Sequence, residues 1–260
     1  MGNVSPNRVI DYESGPSATT SKSWWWARHV PIFCPCMCLL YIIMFNTSHN
    51  KSMRICTNEI PRLDLYTYSL LHASNSHLIF NVLGTLLYGG AIEANQQTFR
   101  VVIVHTLSVL SGGFSHFWEC VFTNKCLLRT QCLRGASGGV YGLVGSYISY
   151  VLYNHHIDDG TLWFNIWKYM YPTLFFAFLI SDNVVMFVFK VKNASYWAHV
   201  CGFIGGLLSG VTIYKQIDNS KKISRCKCGL RIVGFVMLVG FMIASIVESY
   251  KIVKKVHALT

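Results

Sequence analysis

The sequence predicts an all-α, polytopic membrane protein, with six spanning helices in one bundle and a seventh at the C-terminal side. Three observations carry this. Hydrophobic residues make up 52% of the chain and charged residues only 13%, against about 25% charged in soluble globular chains. Apolar runs of membrane-spanning length recur along it. The conspicuous polar residues within those runs gather at the starts of alternate helices, and polar groups inside a membrane are costly enough to imply function.

The expected spans are 30–46, 77–94, 98–118, 137–154, 163–181, 196–214 and 229–249. Pro31 and Pro35 weaken the start of the first. Apolar residues continue past Asp182 to Phe189, which leaves the end of the fifth open. No long-period repeat interrupts the series.

Charge gives the orientation. The net charge is +11, and its densest cluster is Lys215, Lys221, Lys222, Arg225, Lys227 and Arg231, between the last two spans. Such a cluster marks a cytoplasmic loop rather than a nucleic-acid surface. Six crossings separate it from the N-terminus, which is then cytoplasmic as well. Residues 1–27, polar and rich in Ser, Pro and Asn, read as a disordered cytoplasmic segment without a cleavable signal peptide. Residues 28–215 read as the six-helix core, and 216–260 as a basic cytoplasmic loop, the seventh helix and a short tail. Lys251, Lys254 and Lys255 fall on the extracytoplasmic side in this scheme, against the trend.

Residues 47–76 form a long extracytoplasmic loop that holds two glycosylation patterns, Asn46-Thr47-Ser48 and Asn50-Lys51-Ser52. Of the ten cysteines, Cys34, Cys36 and Cys38 act as small hydrophobes in the first span. Cys226 and Cys228 lie in the basic loop, where palmitoylation or no role is expected. Cys56, Cys120, Cys126 and Cys132 share one face, where disulfides form if that face is lumenal. Their pairing is open.

Three polar clusters carry chemistry. His77 and Asn81 are four apart, so a helix starting near Ser76 presents both on one face, with His72 just before and Ser74 or Asn75 as its cap. Gly135-Ala136-Ser137-Gly138 opens the fourth span, and Gly138, Gly142 and Ser146 form a small-residue stripe at spacing four. Ala198-His199 opens the sixth, followed by Gly202, Gly206 and Gly210 at the same spacing. Taken alone, each stripe is ordinary helix packing. If the two stripes face each other, Ser137 and His199 meet. Spans two, four and six run in one direction, so all three clusters lie at one depth near the extracytoplasmic side.

A serine needs a base to attack at neutral pH, and histidine is the natural one. The start of a helix offers free backbone N–H donors for the oxyanion, and His77 and Asn81 add side-chain donors. No acid completes a triad: Glu119 and Asp182 are nearest in sequence but not at that depth. Neither a metal nor a cofactor is expected.

These residues resemble the rhomboid family of intramembrane serine proteases, across about residues 28–215. Its H-x-x-x-x-H-x-x-x-N is similar to His72, His77 and Asn81; its G-x-S-G to Gly135–Gly138, followed by Tyr141; its A-H-x-x-G-x-x-x-G to Ala198, His199, Gly202 and Gly206. The resemblance implies Ser137 as nucleophile and His199 as general base. It implies His77, Asn81 and the Ser137 amide as oxyanion hole, and Tyr141 stacking near His199. A seventh span after the core is similar to the eukaryotic secretory-pathway arrangement, with residence there or at the plasma membrane and single-pass membrane proteins as substrates. One departure stands out: Leu63-Asp64 occupies the place of the family's Trp-Arg, with Arg62 two positions before the expected arginine. A non-catalytic rhomboid-like protein that binds membrane clients for trafficking or degradation is the alternative. A seven-helix receptor or transporter fits less well, since its polar residues would gather near the midplane.

Overall fold

A computed structural model describes residues 29–47, 54–56, 63–123, 132–154, 196–215 and 221–258, with Met170, Thr173 and Ala177; at 119–123 and 221–227 it describes the backbone alone. The expected fifth span lies outside the described residues apart from those three, as do residues 1–27, Asn50 and Cys126.

The elements in order are α1 (Phe33–Thr47), β1 (Ile55–Cys56), α2 (Asp64–Thr67), a 3-10 turn (Tyr68–Leu70), α3 (Asn75–Gly84), a π turn (Thr85–Gly90), α4 (Ala91–Gln96), α5 (Thr98–Thr123), β2 (Cys132–Leu133), α6 (Ser137–Asn154), α7 (Tyr196–Ile213) and α8 (Lys221–His257). By length and apolarity Thr98–Trp118, Tyr196–Ile213 and Cys228–His257 can cross a membrane, and Phe33–Thr47 is a shorter apolar helix. The protein is an integral membrane protein with a helical bundle.

The first helix starts where Pro31 lets it start. Its free N–H groups at Ile32, Phe33 and Cys34 donate to the carboxylate of Glu93 at 2.8, 2.7 and 2.9 Å. Thr98 Oγ1 donates to the same group at 2.8 Å. Pro35 falls in the first turn, where a missing N–H costs nothing. A buried acid on α4 thus caps α1 from a distance and is neutralised by three backbone dipoles. The second expected span is continuous in space: α3, the π turn and α4 follow one another. Ser74 caps it, accepting from the His77 N–H at 3.2 Å.

Helix α6 is the centre of the bundle and is buried along nearly all its length. It meets α7 through the two small-residue stripes. A Cβ added to Gly202 would fall on the carbonyl of Gly138, and one on Gly206 would fall on the carbonyl of Gly142. On another side, Gly142 faces Ser108 of α5, and Gly205 of α7 faces Ser111. Ser108 and Ser111 satisfy their hydroxyls within α5, on Val104 O and Leu107 O, both at 2.7 Å. Three helices therefore pack backbone to backbone, where dispersion and small side chains replace the hydrophobic drive that lipid removes.

The seventh helix is longer than its apolar run. The expectation was 229–249 after a basic loop; α8 instead covers 37 residues from Lys221 to His257. Lys, Arg, Ile and Val are tolerated in helices and no proline interrupts them. At 1.5 Å per residue it spans about 55 Å, well beyond a hydrocarbon core of about 30 Å. Its outer face exposes Ile232, Phe235, Val236 and Ile243, as lipid contact requires. Its last turns bury Ile252, Val253 and Val256 in one cluster with Ile55, Tyr68, Val109, Leu133 and Ala198.

The loop before α2 is tied to the segment before α6. β1 and β2 pair antiparallel, with Ile55 opposite Leu133 and Cys56 opposite Cys132. Cys56 and Cys132 form a disulfide across that pair, which resolves the open pairing for two of the four candidate cysteines.

Two outcomes follow. Gly206→Ala is expected to cost about 1–3 kcal/mol by forcing α6 and α7 apart, seen as a lower midpoint in detergent thermal unfolding. Cys56→Ala with Cys132→Ala is expected to cost about 2–4 kcal/mol, and reductant should lower the wild-type midpoint without lowering that of the double variant.

Candidate active site

Ser137 is the first residue of α6, and His199 lies in the first turn of α7. Because Gly138 and Gly202 let the two backbones touch, the side chains meet: His199 Nε2 stands 2.8 Å from Ser137 Oγ. The Tyr141 ring lies one turn further along α6 and stacks on the imidazole, with centroids 4.4 Å apart and planes 7° from parallel. Stacking on one face and a hydrogen bond at one edge fix the ring. His199 is buried, with 8% of its surface exposed.

Helix α3 approaches the turn that precedes the serine. Gly135 adopts φ +127°, in the region that favours glycine, and its missing side chain makes room for His77: an added Cβ would strike the imidazole. The ring of His77 meets that of His72 edge to face at 5.4 Å, and His72 meets Tyr41 in the same manner at 5.4 Å. Asn81 lies one turn below His77 on α3. It is 3% exposed, and its amide nitrogen has no hydrogen-bond partner among the described residues. A buried donor without a partner is rare in a native protein unless it serves a ligand, water or reaction intermediate.

The structure thus brings together Ser137, His199, Tyr141, Gly135 and His77, with His72 behind. Gly138, Gly202 and Gly206 form the helix contact beneath them. Sequence reasoning missed Tyr68. Its hydroxyl donates to Val109 O at 2.8 Å. Its backbone carbonyl accepts the Gly135 N–H at 2.9 Å. One residue therefore fastens the turn that presents Ser137 to α5. Nothing in the local pattern around Tyr68 signals this, because both partners are distant in sequence. At the place of the departure from Trp-Arg, Leu63 is 83% exposed and Asp64 begins α2, where a helix N-terminus favours its charge.

Fold and site together define a polytopic helical membrane protein with a hydrogen-bonded serine–histidine pair at one end of its bundle. Residues 60–216 match the Rhomboid domain. The chain belongs to the rhomboid family, which includes intramembrane serine proteases. Rhomboid-related protein 1 of Caenorhabditis elegans is 27% identical over 164 residues, covering 62% of this chain and 43% of that protein. Rhomboid-related protein 2 of the mouse is 27% identical over 157 residues, 59% of this chain and 49% of its own length. Rhomboid protease GlpG of Haemophilus influenzae is 27% identical over 157 residues, 59% of this chain and 71% of its own. The chain thus spans less than half the length of these two animal relatives.

Gly135→Ala tests the serine turn. The strained backbone and the clash with His77 are expected to cost about 1–3 kcal/mol, and to slow labelling of Ser137 by a fluorophosphonate while the chain still inserts.

Proposed function

We propose that this protein is an intramembrane serine endopeptidase that cleaves transmembrane segments of single-pass membrane proteins near the extracytoplasmic side. The observation that carries the reading is the 2.8 Å contact between His199 Nε2 and Ser137 Oγ, held by the stacked Tyr141. His199 takes the serine proton as Oγ attacks the scissile carbonyl, then delivers it to the leaving amine. The Ser137 N–H, His77 and Asn81 hold the oxyanion. Water then attacks the acyl-enzyme, with His199 again as base. The substrate helix must unwind at the cut, since its own hydrogen bonds shield the peptide carbonyls.

The orientation belongs to the same proposal. The basic start of α8 lies at the end of the bundle away from Ser137 and is taken as cytoplasmic, with the N-terminus on the same side. The Cys56–Cys132 disulfide lies at the serine end, and disulfides persist in oxidising compartments. Both favour residence in the secretory pathway or the plasma membrane.

Cleavage of a transmembrane reporter co-expressed with wild type, Ser137→Ala or His199→Ala is the test. Wild type is expected to cut and both variants to fall to background. Asn81→Ala is expected to retain a rate lower by about 10²–10³. Cutting that survives Ser137→Ala would remove the proposal. If no chain cuts and Ser137 resists fluorophosphonate, the protein is a non-catalytic binder of membrane clients.

A further inference from the structure

The β1–β2 pair has a feature that packing does not account for. Its antiparallel register sets Ile55 against Leu133 and Cys56 against Cys132. One step outward, the same register sets Arg54 across from Arg134. Both are exposed, and neither has an ion-pair partner among the described residues. Like charges directly across a strand pair are destabilising. Here the neighbouring disulfide and the burial of Ile55 and Leu133 hold the two arginines in register despite that cost.

The location is specific. Arg134 immediately precedes Gly135, which lies against His77, and stands three residues before Ser137. The last turns of α8, whose Val253 and Val256 share one buried cluster with Ile55 and Leu133 of the strand pair, bring the exposed Lys254 and Lys255 to this end. The nearby Glu248 is occupied by Lys251 at 2.7 Å. In the proposed orientation this is the extracytoplasmic end, where the positive-inside rule supplies no reason for cations. A cationic lip beside a site that receives polypeptide matches carboxylates on that polypeptide, which guanidinium binds in a two-pronged fashion.

We propose that Arg54 and Arg134 form a docking point for an acidic segment lying just outside the membrane on a transmembrane client. The proposal rests on the reading that this site receives such clients, and it narrows them to those with Asp or Glu in the extracytoplasmic flank. Lipid head groups are less suited as occupant, because the arginines flank the turn that carries the serine rather than the lipid-facing helices.

The test is binding, so that it holds whether or not the protein cuts. Full-length Ser137→Ala in phosphatidylcholine nanodiscs is titrated with a transmembrane peptide carrying an Asp-Glu-Glu flank, and with the same peptide carrying Asn-Gln-Gln. The acidic flank is expected to bind about tenfold more tightly at low salt, with the gap closing as salt rises. Arg54→Gln with Arg134→Gln should abolish the gap and leave affinity for the amide flank unchanged. Arg54→Glu with Arg134→Glu should create a preference for a Lys-Lys-Lys flank, a reversal that loss of structure does not produce. Equal affinity of the parent for both flanks, including none for either, overturns the proposal. So does an acidic preference that survives both double variants. In separate nanodiscs that contain phosphatidylserine, loss of that lipid from the glutamine variant by native mass spectrometry, with no flank preference in its parent, would assign the arginines to lipid instead.

Discussion

The contact between the Gly138 and Gly142 carbonyls and the bare faces of Gly202 and Gly206 is the constraint on which the rest of the structure depends. A serine hydroxyl and an imidazole reach 2.8 Å across two helices only if the helices nearly touch. In water such a contact would be favoured by burial of apolar surface. In lipid, helix association depends instead on close packing and polar contacts. The spacing of four in both stripes repeats the close approach at Gly202 and Gly206, and it eases at Gly210, which faces Ser146. The serine–histidine contact is therefore set by the whole interface, not by local side-chain choice. The third side is closed by Ser108 and Ser111, small enough to admit the glycine faces and internally bonded so that no hydroxyl is left without a partner.

A second constraint acts on the backbone of the site. The turn at Gly135 requires a conformation costly to other residues and must not relax. Tyr68 holds it from one side by accepting its N–H, and the β1–β2 pair holds the preceding residues from the other. The last turns of α8 close the same cluster. The seventh helix thus has two faces of different purpose. Most of it faces outward with apolar residues, while its final turns support the serine segment.

What could be read from sequence was what repeats locally. Glycine every fourth residue, a histidine and an asparagine four apart, and a serine at the start of an apolar run each report on one helix. Facing the two stripes against one another placed Ser137 beside His199 without further information. What could not be read is what joins distant residues. The Glu93 carboxylate caps α1 across about sixty positions, a reach that no local pattern encodes. Four cysteines allowed several pairings, and only strand register singles out Cys56 with Cys132. The extent of α8 was underestimated because hydropathy marks where a helix is in lipid, not where it ends.

The lysines of the last turns of α8 illustrate the same limit. On the sequence alone, Lys251, Lys254 and Lys255 stood as evidence against the orientation, since charge counts treat each loop as isolated. In the fold they share an end with Arg54, Arg134 and the serine turn. The burial of Val253 and Val256 in the same cluster as Ile55 and Leu133 brings them there. A charge distribution that is anomalous for topology becomes coherent under the proposal that the serine end receives polypeptide. Topology selects the side of the membrane for the bulk of the cations, at the start of α8. In the proposed orientation, the remainder is then free to reflect what the serine end binds.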